Sequence, residues 1–148
     1  MKDRYADSGR EWMKTGVISG IIAYFAVSFA GIISIAYLYP EVLQNALGSI
    51  ILSSPPAIIN EAMRGGFFAI LVMLFAEKIP GSGIFLKSLI VTFLFAGVIW
   101  ISGSLLIIGL GMIAGLYNYT LSMLSTILWS LIYAFSFSML AKKRGLEK

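Results

Sequence analysis

The sequence predicts an all-α, polytopic transmembrane four-helix bundle, and three observations carry that prediction. Hydrophobic residues make up 59% of the chain and charged residues 12%, with a mean hydropathy of +0.91, against about half apolar and a quarter charged in soluble domains. The apolar residues fall in continuous runs rather than in the alternation of a membrane barrel. Lys and Arg sit at the ends of those runs. The 148 residues suit a single integral membrane domain, 1–148, with spans at about 15–38, 55–76, 84–108 and 119–141.

Residues 1–14, MKDRYADSGREWMK, mix Lys2, Arg4, Arg10 and Lys14 with Asp3, Asp7 and Glu11. The apolar run from Thr15 to Leu38 then covers roughly 36 Å at 1.5 Å per residue, enough for a tilted crossing of a hydrocarbon core about 30 Å thick. Ser28-Phe29-Ala30 has the small residues of a signal-peptide cleavage site. The run continues well past Ala30, which favours a retained span.

Between the first two spans, EVLQNALGSIILS (Glu41 to Ser53) places Val42, Leu43, Ala46, Leu47, Ile50 and Ile51 on one half of a helical wheel. Without Lys or Arg, it reads either as an interfacial amphipathic helix or as a packed connector. Ser53-Ser54-Pro55-Pro56 is a helix-start signal, since serine caps and proline is tolerated in a first turn. The second span is therefore expected to open at Pro55 and to stop at Glu77-Lys78. Ile79-Pro80-Gly81-Ser82-Gly83 predicts a tight turn that makes the second and third spans antiparallel neighbours.

From Ile84 to Leu116 the chain is apolar except for Lys87, about 50 Å if it were one straight helix. One bilayer does not hold that length. The preferred reading ends the third helix near Ile108, followed by a glycine-rich apolar loop through Gly109-Leu110-Gly111. The alternative breaks the helix at Ser102-Gly103-Ser104 and folds residues 103–116 as a re-entrant segment. The fourth helix is expected from about Tyr119 to Ala141, ending at Lys142-Lys143-Arg144-Gly145.

Four spans put residues 1–14, the 77–83 turn with Lys87, and the C-terminal tail on one face, and every one of the eleven basic residues except Arg64 lies in those regions. By the positive-inside rule, both termini are expected in the cytoplasm, as in a multi-pass protein of the cell membrane. Tyr37, Tyr39, Tyr117 and Tyr119 would then form an outer aromatic belt, with Trp12 at the inner boundary.

Two helix faces stand out. In the first span Gly16, Gly20, Ala23, Ala30 and Ser34 form a stripe of small residues that allows close helix approach in lipid. In the fourth, Ser122, Thr126, Ser130, Ala134 and Ser138 recur every four residues beside an aromatic row of Trp129, Tyr133 and Phe137. The hydroxyls either bond back to their own helix carbonyls or, with Tyr133, form a polar seam along a path. Small and polar faces turn inward by default, and aromatic residues in a bundle are first of all packing.

The absence of Cys and His removes thiolate and imidazole chemistry and the commonest zinc and haem ligands. No phosphate-binding or dinucleotide-binding glycine motif is present. No cofactor, metal or nucleic-acid partner is indicated, because the basic residues border apolar spans instead of forming a patch. The Asn118-Tyr119-Thr120 triplet matches a glycosylation acceptor, but it lies against a helix start, where a glycosylating enzyme has poor access.

That leaves NEAMRGG, residues 60–66. Arg64 departs from the charge sidedness of the rest, and on a helix Asn60, Glu61 and Arg64 share an arc of about 100°. A span opening at Pro55 buries Arg64 about 13 Å along the axis, where an unpaired charge costs about 2.5 to 3.5 kcal/mol. A span opening at Asn60, a good cap residue, leaves Glu61 in the first turn and lets Arg64 snorkel to the interface. Gly65-Gly66, destabilising by about 1 kcal/mol each inside a helix, implies a close neighbour, and the small stripe of the first span is the candidate. The expectation is a non-enzymatic membrane protein whose bundle binds or passes a small solute or lipid, as a homo-oligomer, with Asn60, Glu61 and Arg64 as binding residues and Ser122, Thr126, Ser130 and Tyr133 as a polar seam. The alternative is an assembly subunit docked to a membrane protein partner.

Overall fold

The computed structural model describes the backbone of residues 2–109, 111 and 113–146, and the side chains of 8–41, 55–99, 101–109, 111, 115, 119 and 122–146. Among these residues the chain forms four α-helices: α1 (Lys2–Leu38), α2 (Leu43–Phe75), α3 (Ile84–Gly109) and α4 (Ile113–Lys143). A single 3-10 turn, Pro40–Val42, joins α1 to α2. Each of the four contains a stretch long and apolar enough to cross a membrane: Ser8–Leu38, Pro55–Phe75, Ile84–Gly109 and Ser122–Lys143. This is the pattern of a small multi-pass membrane protein.

Successive helices run antiparallel. Glu11 near the start of α1 meets Arg144 just after α4, with Arg144 Nη1 3.2 Å from Glu11 Oε2 and 3.3 Å from Thr15 Oγ1. The Lys87 ammonium near the start of α3 donates to the Ala76 carbonyl just past α2, where a cation complements the helix's orphan carbonyls. The described parts of the N-terminal segment, the α2–α3 turn and the C-terminal tail thus gather at one end of the bundle. Gly81 (φ 111°) and Gly83 (φ 91°) supply the left-handed backbone that lets the 79–83 turn reverse the chain so tightly.

Several boundaries differ from the sequence-based expectation. The helix-start signal at Ser53-Ser54-Pro55-Pro56 does not start a helix: α2 runs unbroken from Leu43, with Pro55 and Pro56 in its interior. The prolines leave the Ile51 and Leu52 carbonyls without a helical N–H donor, a defect that long membrane helices tolerate because their neighbours sustain the fold. Asn60 is consequently no cap but a residue well inside α2. The re-entrant reading of 103–116 is also overturned, since α3 continues through Ser102-Gly103-Ser104 to Gly109 and α4 begins at Ile113. The expected 109–118 loop shrinks to a turn closed by the Gly111 N–H on the Ile108 carbonyl at 3.0 Å. Gly103 is a notch rather than a hinge: a Cβ there would collide with the Tyr119 hydroxyl, which donates to the Ile99 carbonyl at 2.8 Å.

The helix packing is uneven. α1 lies most extensively against α2, α4 packs on both α3 and α1, and α2 meets α3 over a much smaller contact. The expected neighbourhood of the second and third spans is thus mainly a contact of aromatic rings, Phe67 and Phe68 of α2 with Phe95 of α3, each pair 5.7 Å apart. The buried core of Trp12, Ala23, Phe68, Ala69, Val72, Ile84, Val91, Trp129, Tyr133, Phe137 and Ala141 occupies the half of the bundle nearer the chain ends. Beyond Ala23 no residue of α1 is fully buried, and no described side chain of α3 beyond Ala96 is. Tyr37 is 86% exposed, and Trp12 is buried against Phe137, with ring centroids 5.7 Å apart.

Candidate functional site

The stripe on α1 meets the glycines of α2, and the site is built on that contact. A Cβ at Gly65 would overlap the Gly16 carbonyl and stand 2.9 Å from Gly20 Cα, and one at Gly20 would overlap the Glu61 carbonyl. The two backbones touch because neither has a side chain between them. The stripe serves in its lower part only: Gly16, Gly20 and Ala23 are buried, whereas Ser34 is exposed and bonds back to the Ala30 carbonyl at 2.8 Å.

The third partner is α4. The Tyr133 hydroxyl, fully buried, donates to the Gly65 carbonyl at 2.8 Å. Tyr133 in turn stacks on Trp129 (4.9 Å, 8°) and on Phe137 (5.5 Å, 11°), so the aromatic row forms one continuous column. Phe68 of α2 closes on the column edge-on and tilted, 5.9 Å from Trp129 and 6.1 Å from Tyr133. The inward face of α4 therefore combines the aromatic row with Ser130 and Ala134 of the small and polar row, both fully buried.

Glu61 and Arg64 stand where this packed half ends. Arg64 Nη1 is 3.6 Å from Glu61 Oε1, with side chains 31% and 15% exposed, and the guanidinium carbon sits 4.0 Å from the centre of the Trp129 ring. The pair faces a cleft of about 180 Å³ lined by Tyr24, Val27, Ser28, Glu61, Arg64, Ser125, Thr126 and Trp129. Of the lining residues, Glu61 Oε2 and Trp129 Nε1 are buried without a hydrogen bond of good geometry, the indole N–H standing next to the carboxylate. An orphaned carboxylate oxygen and an orphaned indole N–H are each expensive in a low-dielectric interior.

Along α2, Leu43–Phe75, Arg64 lies about 16 Å from the C-terminal end and roughly 30 Å from the start. Its cleft partners Tyr24 and Trp129 fall near the middles of Ser8–Leu38 and of α4. No helix begins at Pro55 or at Asn60, so the capping role expected of Asn60 and the first-turn position expected of Glu61 are not formed. Arg64 is half-buried, ion-paired with Glu61 and laid on the Trp129 ring, contacts that offset the cost of a partly desolvated charge.

The remaining expected site residues disperse. Asn60 is exposed and outside the cleft lining. Ser122 and Thr126 bond to carbonyls of their own helix, Tyr119 at 2.6 Å and Ser122 at 3.2 Å, and only Thr126 reaches the cleft. Ser130 Oγ is buried without a partner, and Tyr133 is engaged by Gly65. The row is thus divided between exposed, lining and core positions. Trp129, Ser125, Tyr24 and Ser28 were not foreseen as site residues; a charged residue opposite an aromatic row was the available signal. Among the described residues no three acidic side chains converge as metal ligands would. No protein-family model matches the chain, and neither a curated protein nor a solved structure is found similar to it.

Proposed function

We propose that the chain is a non-enzymatic, multi-pass protein of the cell membrane, with both termini in the cytoplasm, whose bundle binds a small solute or lipid at the Glu61–Arg64–Trp129 cleft. The observation that carries the reading is the pair of orphaned buried atoms, Glu61 Oε2 and Trp129 Nε1, in the wall of a mid-bundle cleft. Intramembrane ionisable residues are retained at a cost and mark binding or conduction paths. The orientation rests on the positive-inside rule, and assembly as a homo-oligomer belongs to the same proposal. Liposome flux and lipid-binding assays on wild type, Arg64→Ala and Glu61→Ala test it. Both substitutions are expected to reduce binding or flux at least tenfold, and unchanged behaviour in both removes the site.

A second reading is favoured by the unpacked apolar half of the bundle, where Phe29, Ile33, Val98, Ile99, Leu105 and Leu106 are all exposed. In it the protein is an assembly subunit, and those faces dock a larger membrane complex. Crosslinking in native membranes followed by sizing in detergent separates the two. A homo-oligomer supports the first reading, and a defined heterologous partner supports the second.

A further inference from the structure

The cleft has a polarity of its own, and the polarity names a ligand class. Its charges, Glu61 and Arg64, sum to zero, so neither an anion nor a cation is favoured over the other by net charge. The ion pair is loose at 3.6 Å, beyond the roughly 2.7 to 2.9 Å of a charge-assisted hydrogen bond. The carboxylate retains an unpaired acceptor in Oε2, and beside it the Trp129 indole retains an unpaired donor in Nε1. Among the described residues the polar contact of Arg64 is with Glu61, and Ser28, Ser125 and Tyr24 are further hydroxyl-bearing residues of the same wall. Trp129 is 4% exposed, so its donor is unavailable to bulk water.

We infer that the cleft binds a compact zwitterion, a molecule with an N–H-bearing ammonium and an oxyanion a few atoms apart, the ammonium on Glu61 Oε2 and the oxyanion on Arg64 and the Trp129 N–H. The inference rests on the binding reading above and narrows it to a chemical class. A zwitterion laid antiparallel to the Glu61–Arg64 dipole satisfies both orphaned atoms and leaves the buried charge balanced. A lone anion would meet the Glu61 carboxylate, and a lone cation would meet Arg64. A quaternary ammonium has no N–H for Oε2, and the Trp129 ring it would need is already engaged by Arg64 at 4.0 Å and by Tyr133 at 4.9 Å. About 180 Å³ is below the roughly 300 to 1,000 Å³ of pockets for drug-sized ligands, which suits an amino-acid-like solute or an ethanolamine phosphate headgroup.

Entry is from the loop end. Towards the chain ends the column of Trp129, Tyr133 and Phe137, with Trp12 and Phe68 against it, fills the core. On the other side Val27 and Ser28 begin the part of α1 where no residue is fully buried.

The test uses the full chain in nanodiscs and equilibrium dialysis with labelled β-alanine, against ethylamine, acetate and propionamide as single-charge and neutral controls. β-Alanine is expected to bind at least tenfold more tightly than each control. Glu61→Gln and Arg64→Gln are each expected to remove that preference, the first passing it to acetate and the second to ethylamine. Trp129→Phe deletes only the N–H donor and is expected to weaken β-alanine several-fold, so it serves if either charge variant fails to fold. A headgroup source is read separately: phosphatidylethanolamine retained through purification in preference to phosphatidylcholine and phosphatidylglycerol, and lost in both charge variants, assigns the zwitterion to lipid. Binding of β-alanine in nanodiscs lacking that lipid assigns it to a free solute. Equal binding of propionamide or of one single-charge control overturns the zwitterion while leaving the site. No probe or lipid responding to any of the three variants overturns the site as well.

Discussion

Gly65 answers to three neighbours at once: the Gly16 carbonyl, the Gly20 Cα, and the Tyr133 hydroxyl on its own carbonyl. Adding atoms there forces α1 and α2 apart, and overpacking of a close contact costs about 1 to 3 kcal/mol. Gly65→Val is therefore expected to lower the thermal unfolding midpoint in detergent by several degrees, whereas the same change at Gly31, whose Cβ would meet nothing within 4 Å, should leave it near wild type. Tyr133→Phe keeps the stacked ring and removes one hydrogen bond. Such bonds between membrane helices average about 0.6 kcal/mol and reach about 1.7, so a loss near 1 kcal/mol in reversible denaturant unfolding is expected. A loss above about 3 kcal/mol would mean that the hydroxyl does more than hold Gly65.

At the scale of the element, α2 decides how the site is read. One helix from Leu43 to Phe75 carries Arg64 to mid-bundle, whereas a surface helix followed by a new start would not. The chain has no native cysteine, so spin labels at Gln44→Cys and Met63→Cys report only the intended pair. A continuous helix sets their backbones about 28 Å apart at 1.5 Å per residue. A pulsed dipolar distance under about 20 Å would show a bend at Pro55-Pro56 and return the 41–53 segment to the interface.

For the whole molecule, the joining of the ends matters more for topology than for stability. The Arg144 contact with Glu11 is partly exposed, and such pairs contribute about 0 to 1 kcal/mol; Arg144→Ala should shift unfolding by no more than that. Orientation is testable with single cysteines at Ser82 in the α2–α3 turn and at Tyr39 between α1 and α2. In sealed cells an impermeant thiol reagent is expected to label Tyr39→Cys and spare Ser82→Cys until the membrane is permeabilised. The reverse pattern would invert the protein and place the open side of the cleft in the cytoplasm.

Helix number, apolar character and the gathering of basic residues were legible in the sequence, because lipid demands long apolar runs whatever their partners. The meeting of the α1 stripe with Gly65-Gly66 was legible for a related reason: glycine within a membrane helix is retained where backbones touch. Helix ends were not legible, since Pro55, Gly103 and Ser102 are local breaking signals and a surrounding bundle overrides local propensity. The half-burial of Arg64 was decided by the tertiary structure alone. Sequence placed it on a face with Glu61, but only the continuity of α2, the aromatic column of α4 and the end of packing above Ala23 turned that face into a cleft with two unpaired polar atoms. A charge can be located by counting residues along a helix; whether it is solvated, paired or held for a ligand depends on atoms from other helices, which no single span encodes.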